Sequence, residues 1–345
     1  MMTGQTFGAI AALLLAGVLS GCGSAGASDG KLTVRIGMSP NITHAPGLIA
    51  DGKHYFEKEL PGANIEISSF PSGTTIVEAL FSNAVDVAYL GPNPAINGYA
   101  QSDGAALRVV SGATSGGAAL VVRTGITTAQ DLRGKTLASP SLGNTQDVAL
   151  RSYLRGTGLN TDIAGGGDVS IVPQENSQTL QTFRSGTIDG AWVPEPWATR
   201  LVKDGGGHVL VSERDLWPDG NFVTTQVVVA RRFLTQHPDA VRGIVAANLD
   251  GIDFARAHGS EAQTVSNDEI ESFTGKRLKD PILAAAWGNL MFTPDPVASS
   301  LRRSADNAIA VGLLKPVRNL PGLYDLDILN ALLRSKGRPP VKGLS

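Results

Sequence analysis

The sequence has little of what disulfide-bonded, metal-binding and nucleic-acid-binding proteins need. It contains one cysteine, Cys22, in 345 residues, so a disulfide within the chain is excluded. Charged residues make up only 17% and the formal net charge is −2, without the basic stripe that is typical of a nucleic-acid binder. The five histidines do not stand at metal-ligand spacing, so we predict no metal site.

Catalytic motifs are also missing. The sequence has no G-x-S-x-G nucleophile elbow, H-E-x-x-H zinc motif, phosphate-binding P-loop or Rossmann glycine fingerprint. We therefore predict neither an enzyme nor a cofactor. Apolar residues make up 42% of the chain, which excludes global disorder, and the length favours two lobes.

The first residues resemble a bacterial lipoprotein signal. An apolar run from Phe7 to Cys22 is too short for a comfortable membrane span, and small residues precede the cysteine. We predict a signal peptide over 1–21, export, lipidation of Cys22, and a lipidated flexible tether over 22–31. Residues 1–21 contain no Lys or Arg, so the usual positive n-region is missing. The alternative is an ordinary signal peptide with an incidental cysteine.

After the tether, short apolar runs alternate with helical patterns, which predicts two open α/β sheets. The predicted strands cover 32–38, 64–70, 85–91, 107–113, 118–123, 135–140, 169–174 and 189–193. The predicted helices cover 45–60, 74–83, 127–134, 144–158 and 178–186, and the chain is mostly helical from 232 onward. We expect the strands at 107–113 and 118–123 to pair around Gly116 and Gly117.

A faint internal repeat relates residues 77–95 to residues 180–198. Each stretch has a helix, a turn, a branched residue followed by Asp, and a strand that ends in Pro-x-Pro. Proline cannot continue a central strand, and ligands bind at the carboxyl edge of open α/β sheets. The repeat therefore predicts two similar lobes, with Asn93 and Glu195 at the rims of one cleft. Chance similarity of two α/β units is the alternative.

The stretch Pro140–Leu154 holds the main candidate for a ligand site. Asn144 is a suitable N-cap, and Asp147 completes a capping-box pattern, so a helix is predicted to start here. The free N–H groups of such a helix start favour an oxyanion. A well-capped helix without a ligand is the alternative.

Other loops after predicted strands share this character. Residues 39–46, 91–93 and 114–117 are rich in small hydrogen-bond donors and contain no Lys or Arg. This composition predicts an anion held by neutral groups, at about 1.5–3 kcal/mol for each hydrogen bond to a charged acceptor. His44 has the alternative role of a solvent-facing cap, and Glu195 either binds a cationic ligand group or pairs with a residue such as Arg200. The aromatic residues Trp192, Trp197 and Phe222 are candidates for an apolar sub-pocket.

Five segments resemble the nitrate/sulfonate/taurine family of ABC-transporter substrate-binding proteins. They read PNITHAPGLIADG, VDVAYLGPNPAINGY, SGATSGGAALVVR, LGNTQDVALRSYLRGTGL and GAWVPEPWATRL. The resemblance runs from about Leu32 past Pro296. It implies an α/β, two-lobed type II periplasmic-binding-protein fold with a ligand cleft between the lobes, hinge closure, and delivery to a membrane permease driven by a cytoplasmic ATPase.

The resemblance also implies which residues contact the ligand. The positions that match the family's ligand-contacting loops are Asn41, Thr43, His44, Gly91, Pro92, Asn93, Ser115, Gly116, Gly117, Gly143, Asn144, Thr145, Gln146, Trp192 and Glu195. We expect lobe 1 to comprise 32–115 plus 222–345, and lobe 2 to comprise 116–221. Several sulfonate binders carry Trp-Asp-Pro where this chain has Pro194-Glu195-Pro196.

We therefore predict a lipid-anchored, monomeric binding protein on the extracytoplasmic face of the cell membrane. Its predicted ligand is a small organic oxyanion, an aliphatic sulfonate for sulfur uptake, ahead of nitrate or taurine. One alternative is an enzyme of thiamine-pyrimidine biosynthesis on the same fold, against which the single cysteine stands. Another is a receptor that docks on a sensor kinase without a dedicated permease.

Overall fold

The computed structural model describes residues 31–345, which form two β-sheets flanked by helices. The predicted signal peptide, Cys22 and almost all of the predicted tether lie outside this range. Within it, no helix is long and apolar enough to cross a membrane.

The first sheet has six strands in the order β11-β4-β10-β3-β1-β2. They are β1 (Thr33–Met38), β2 (Asn64–Ser69), β3 (Val87–Leu90), β4 (Leu107–Gly116), β10 (Val223–Ala230) and β11 (Leu290–Phe292). The second sheet has five strands in the order β7-β6-β8-β5-β9. They are β5 (Ala118–Val122), β6 (Thr136–Ser139), β7 (Ser170–Pro173), β8 (Gly190–Pro194) and β9 (His208–Ser212).

Helices cover both sheets. They are α1 (Ala45–Gly52), α2 (Tyr55–Glu59), α3 (Gly73–Phe81), α4 (Pro92–Gln101), α5 (Thr145–Gly156), α6 (Asn176–Ser185), α7 (Trp197–Lys203), α8 (Arg231–Gln236), α9 (Pro238–Ala257), α10 (Gly259–Thr274), α11 (Asp280–Trp287), α12 (Ala298–Ala310) and α13 (Asp327–Ser335). Short 3-10 turns add Ile42–His44 and Ala129–Leu132, among others.

The two sheets repeat one arrangement of parallel strands. In the first, β1 pairs with β2 and β3, and in the second, β6 pairs with β7 and β8. The aspartates of the internal repeat occupy equivalent places. The Asp86 carboxylate accepts a hydrogen bond from the backbone N–H of Arg35 at 3.2 Å, and that of Asp189 accepts one from Thr136 at 2.9 Å. Asp86 thus fixes the start of β3 against β1, and Asp189 fixes the start of β8 against β6.

The chain passes between the sheets at Gly116 and Gly117. Both have a positive φ, 81° and 75°, which a side chain would disfavour. β4 ends at Gly116 in the first sheet, and β5 begins at Ala118 in the second. The prediction that these two strands pair with each other is therefore wrong. We call the part built on the first sheet lobe 1 and the part built on the second sheet lobe 2; the lobe boundaries given above stay a prediction.

Several other predicted elements differ from the structure. The predicted helix over 45–60 is two helices, because His54 adopts a left-handed φ of 57° between them. The predicted helix over 127–134 is only the 3-10 turn Ala129–Leu132. Pro92-Asn93-Pro94 is not a loop but the first turn of α4, where proline at N1 is well tolerated. The sequence analysis predicts no strand at β9, β10 or β11; β11 lies in the region from 232 onward that is predicted to be mostly helical.

Candidate functional site

A cavity of about 40 Å³ lies where strand ends from the two lobes meet. Its lining is Ser39, Asn41, Thr43, His44, Pro71, Ser72, Gly73, Leu90, Gly91, Pro140, Asn144, Thr145, Gln146, Asn176, Pro194, Thr224 and Thr225. We call it the small cavity. None of these lining residues is Lys, Arg, Asp or Glu, so a ligand here meets neutral groups.

The two lobes contribute to the small cavity in parallel ways. In lobe 1, the segments that follow β1, β2 and β3 supply Asn41, Thr43 and His44, then Ser72 and Gly73, and then Gly91. In lobe 2, the segments at the ends of β6, β7 and β8 supply Asn144–Gln146, Asn176 and Pro194. Because parallel strands end at one edge of a sheet, the fold places all six segments together. The start of β10 adds Thr224 and Thr225.

Four helices begin at the small cavity. α3 starts after its N-cap Ser72, α4 after Gly91, α5 after Asn144, and α6 at Asn176. Each helix N-terminus carries a partial positive charge. The first backbone N–H groups of each helix have no intrahelical partners, except that Pro92 and Pro94 of α4 have no N–H. Four such ends around one space, without a cationic side chain, produce a site suited to an anion.

The start of α5 differs from the predicted capping box in both of its hydrogen bonds. The Asn144 side chain accepts from the N–H of Thr145 at 2.8 Å, two residues before Asp147, and the Asp147 side chain accepts from Gly143 instead of Asn144. The Asp147 carboxylate accepts from the N–H of Gly143 at 2.9 Å, from the Ser139 hydroxyl, and from Arg151. Asp147 and Arg151 are both buried and form an ion pair, so the negative charge of Asp147 is compensated behind the cavity wall.

His44 lines the small cavity as a neutral group. Its Nδ1 accepts from the backbone N–H of Ser39 at 3.2 Å, so in the neutral ring Nε2 carries the proton and is a donor. Burial lowers the pKa of His44 from 6.5 to about 3. The imidazole therefore stays uncharged at neutral pH.

Three polar atoms at the cavity are buried without a hydrogen-bond partner among residues 31–345. They are Oγ1 of Thr145, Oδ1 of Asn176 and Oγ1 of Thr225. Buried polar groups in proteins are nearly always paired, and an unpaired one costs about 1–3 kcal/mol. The three belong to residues from both lobes that line the small cavity, so a polar ligand that reached them would be stabilised.

Gly91 allows the two lobes to approach each other here. A Cβ atom on Gly91 would lie 2.3 Å from Oγ1 of Thr145, which belongs to the opposite lobe, and 3.3 Å from the Thr224 carbonyl oxygen. A side chain does not fit in this gap. The absence of a side chain at Gly91 therefore allows the two lobes to come into close contact beside the cavity.

The structure brings seven of the predicted ligand residues to the small cavity. They are Asn41, Thr43, His44, Gly91, Asn144, Thr145 and Gln146. The others do not line it: Pro92, Asn93, Ser115, Gly116, Gly117, Gly143, Trp192 and Glu195. Asn93 is buried and donates to the Ser304 carbonyl at 3.2 Å, and Ser115 accepts from the N–H of Phe222 at 3.3 Å.

Trp192 and Glu195 have structural partners. The Trp192 indole is fully buried in the core of lobe 2 and donates to the Glu213 carboxylate at 2.7 Å. Burial raises the pKa of Glu213 to about 7, and the indole opposes that shift. Glu195 accepts from the Thr199 N–H and hydroxyl and from the Asn289 amide at 2.7 Å. Burial still raises the pKa of Glu195.

Several residues that line the small cavity are not among the predicted ligand residues. Ser72 stands in PSGTT, a hydroxyl-rich N-cap pattern after β2. Asn176 is the first residue of α6, after β7, and corresponds to Gly73 when the internal repeat is extended upstream. Thr224 and Thr225 are polar residues inside an apolar strand, a pattern that also signals a polar site.

A larger groove adjoins the small cavity. Its volume is about 1000 Å³, and Asn41, Pro71 and Asn176 line both spaces. Residues of lobe 2 such as Leu180 and Trp197 face residues of α10, α11 and the turn between them across it. The Trp197 indole donates to Oδ1 of Asn41 at 2.8 Å, which joins the two lobes at the point where cavity and groove meet.

The chain is similar in sequence to a known protein family and to known binding proteins. The profile of the NMT1-like family matches residues 27–266, more than half of the chain. The taurine-binding periplasmic protein of Escherichia coli K12 is 28% identical over 217 residues, which are 63% of this chain and 65% of that protein. The chain thus covers slightly less than two thirds of that relative's length.

Two solved structures have a similar fold. The alkanesulfonate-binding protein SsuA from Xanthomonas axonopodis pv. citri, bound to MOPS, has a TM-score of 0.69 and 20% identity, with 82% of this chain and 94% of that chain covered. The periplasmic nitrate-binding protein NrtA from Synechocystis PCC 6803 has a TM-score of 0.71 and 16% identity, with 88% of each chain covered. The predicted α/β, two-lobed periplasmic-binding-protein fold is confirmed.

Proposed function

This chain belongs to the NMT1-like family, and we propose that it captures a small organic oxyanion outside the cytoplasm for an ABC importer. The prediction of the nitrate/sulfonate/taurine family of binding proteins is confirmed by the similar proteins. The ligand class that we propose is the aliphatic sulfonates. This choice goes beyond the family and is argued from the site.

The observation that carries the proposal is the convergence of four helix N-termini on a cavity without charged side chains. An anion there gains from the helix dipoles and from N–H and O–H donors. A cation or a neutral apolar molecule gains neither. Neutral donors also avoid the cost of an unpaired buried Lys or Arg when the ligand is absent.

We assign the anionic head group to the donors that the structure leaves unpaired. Oγ1 of Thr145 and Oγ1 of Thr225 approach from opposite lobes, and Nε2 of His44 adds a third donor. The Asn176 amide can turn about its last torsion to present its NH₂ group. Each such bond to an anion contributes about 1.5–3 kcal/mol, so a few of them support micromolar affinity, which needs about 8 kcal/mol.

The groove favours an organic anion over nitrate. A compact inorganic anion would occupy only the small cavity, whereas an alkyl chain can pass Asn41 and Asn176 into the groove. There Leu180, Ile282 and the Trp197 ring offer apolar surface. The tail therefore lies toward Trp197 in this proposal, and not toward Trp192, which is in the core of lobe 2.

Closure of the two lobes would complete the site. Lobe-to-lobe hydrogen bonds surround the cavity, between the Thr74 and Ser141 hydroxyls at 3.1 Å and from Asn97 to the Gly143 carbonyl at 3.3 Å. A ligand that contacts both lobes favours the closed state because it binds that state more tightly than the open one. The closed protein would then deliver its ligand to a permease driven by an ATPase.

The remaining parts of the proposal concern location and assembly. We propose a monomer with lobes at 32–115 plus 222–345 and at 116–221, anchored through a lipid on Cys22 to the extracytoplasmic face of the membrane. Nitrate or taurine binding, an enzyme of thiamine-pyrimidine biosynthesis, and a sensor-kinase receptor are the competing functions. Permease and ATPase genes beside this one would distinguish an importer from a receptor.

The proposal is tested by calorimetry and thermal shift on protein freed of ligand by unfolding and refolding. The panel holds alkanesulfonates of graded length, taurine, nitrate, sulfate, bicarbonate and thiamine pyrimidine precursors. A ligand present at a large excess over its Kd raises the melting temperature according to RT ln(1 + [L]/Kd). We expect alkanesulfonates to bind more tightly than nitrate. Binding of nitrate or of pyrimidines alone would overturn the sulfonate assignment.

A further inference from the structure

More basic than acidic residues line the groove beside the small cavity. Five basic residues line it: Arg184, Arg200, Lys276, Arg277 and Lys279. Only two acidic residues, Glu175 and Asp204, line it with them. The whole chain has a net charge of −2, so this excess of positive charge is a local feature.

The basic residues come from both lobes. Arg184 and Arg200 stand on α6 and α7 of lobe 2, whereas Lys276 and Lys279 stand between α10 and α11 on the side of lobe 1. Lys279 pairs across the groove with Asp204 at 3.4 Å. An anion in the groove would face positive charge from both lobes, so it would oppose their separation.

Two of these cations are available to a ligand. Arg200 and Lys279 pair with Asp204, and Arg277 pairs with Asp268 and Glu271. Within the part of the chain that the structure describes, Arg184 and Lys276 form no ion pair, and both are exposed. One lies on each side of the groove.

The position of Arg184 relates it to the head-group site. Asn176 at the start of α6 lines both the small cavity and the groove, and Arg184 lies eight residues further along the same helix. At 1.5 Å per residue this is about 12 Å along the axis. A flexible arginine side chain can shorten that distance, so a head group in the cavity and a second group near Arg184 can belong to one molecule several methylenes long.

We propose that the physiological ligand is a dianion, with an oxyanion head group in the small cavity and a second anionic group at the far end of a short carbon chain, between Arg184 and Lys276. The inference rests on the proposed function, because it presumes that the head group occupies the small cavity. The same positive charge acts against a terminal amine. The site thus binds a ligand that ends in a carboxylate more tightly than one that ends in a plain alkyl group. A ligand that ends in an ammonium group binds most weakly.

Three ligands of one length test this order: 6-sulfohexanoate, hexanesulfonate and 6-aminohexanesulfonate. By calorimetry at low salt, we expect the sulfocarboxylate to bind about five- to tenfold more tightly than hexanesulfonate, because exposed ion pairs contribute only modestly to binding. The aminosulfonate should bind more weakly than both. The preference for the carboxylate should shrink with added salt because the groove is open to solvent.

A double substitution locates the effect. In Arg184→Gln/Lys276→Gln, the ratio of the hexanesulfonate Kd to the 6-sulfohexanoate Kd should fall to about one. The matched control, Arg302→Gln/Lys342→Gln, removes two positive charges from exposed positions that do not line the groove, and should keep the ratio. Near-equal binding of all three ligands to the wild type, or an unchanged ratio in the groove variant, overturns the dianion proposal. Failure of every sulfonate to bind would overturn the proposed function itself.

Discussion

The small cavity and the groove share Asn41, Pro71 and Asn176 but differ in how they attract an anion. The small cavity uses four helix starts, hydroxyls and a neutral imidazole, and no charged side chain lines it. The groove is lined by five basic side chains and is open to water. The two spaces therefore hold negative charge by different physical means.

The difference follows from the dielectric environment of each space. A buried Lys or Arg without a partner costs several kcal/mol, so a site that must also exist without ligand is more stable when fixed dipoles provide the positive potential. In the groove, water solvates the basic side chains, so they cost little, but salt screens them. We expect the small cavity to determine affinity and the groove to adjust selectivity.

The largest effect is expected from closing the gap at Gly91. Gly91→Val places atoms where Oγ1 of Thr145 lies, 2.3 Å from the position of a Cβ atom, so the two lobes cannot reach the same contact. Alkanesulfonate affinity should fall at least about 100-fold, because several hydrogen bonds from one lobe are lost together. Calorimetry measures this. Gly156→Val is the control, since a Cβ atom there meets nothing within 4 Å; equal affinities in both variants would disprove the role of Gly91.

The next effect concerns pH and His44. Its folded pKa of about 3 lies below the ordinary value of 6.5, so the unfolded chain takes up the proton first. Stability from this group is complete above about pH 6.5 and falls as the pH drops toward 3. Between about pH 7 and pH 4.5, His44→Gln should remove about 2–3 kcal/mol of the pH-dependent loss of unfolding free energy.

Urea unfolding at the two pH values measures this contribution. The control is His54→Asn, because the His54 side chain is 80% exposed and Asn tolerates its left-handed φ of 57°. If the wild type and His44→Gln lose equal stability on acidification, His44 is not buried in neutral form, and the cavity is not the uncharged site that we describe.

A smaller effect is expected from one hydroxyl group. Thr145→Val keeps the shape of the side chain but removes Oγ1, which has no partner among residues 31–345. Affinity for alkanesulfonates should fall about tenfold or more, whereas the free energy of unfolding without ligand should stay the same or rise slightly. Thr235→Val, at an exposed threonine in α8, should change neither quantity. A loss of stability without a loss of affinity would assign Thr145 to the fold instead of the ligand.

The smallest effect is expected from salt, which distinguishes binding in the small cavity from binding in the groove. Raising the salt concentration from about 20 mM to about 300 mM should change the affinity for hexanesulfonate less than about twofold, because its charge is held by buried dipoles. Calorimetry at both salt concentrations is sufficient. A tenfold loss would show that exposed cations dominate the binding of this monoanion.

The sequence predicted much of this fold because the parallel strands have clear apolar patterns and turn residues. β10 was not predicted, although Val227, Val228 and Val229 are fully buried. No helix or turn pattern beside it in the sequence indicates a strand there. The prediction that β4 and β5 pair is wrong because the same pattern, two strands separated by a Gly-Gly pair, also occurs where the chain crosses from one sheet to another.

The site was predictable in part. The start of α5 was identified from Asn144 and its neighbours, and it lines the cavity. Three further helices start at the same place because of how the two lobes pack. A local sequence pattern does not contain that information. Glu195 and Trp192 are predicted ligand residues, but in the structure Asn289 and Glu213, which are distant in sequence, form hydrogen bonds with their polar atoms.

A crystal structure with hexanesulfonate tests the central claim most directly. We predict the sulfonate in the small cavity, with its oxygens at hydrogen-bond distance from Oγ1 of Thr145 and Oγ1 of Thr225, and the alkyl chain passing Asn176 into the groove. A sulfonate bound instead between Arg184 and Lys276, with the cavity closed to it, would contradict the account.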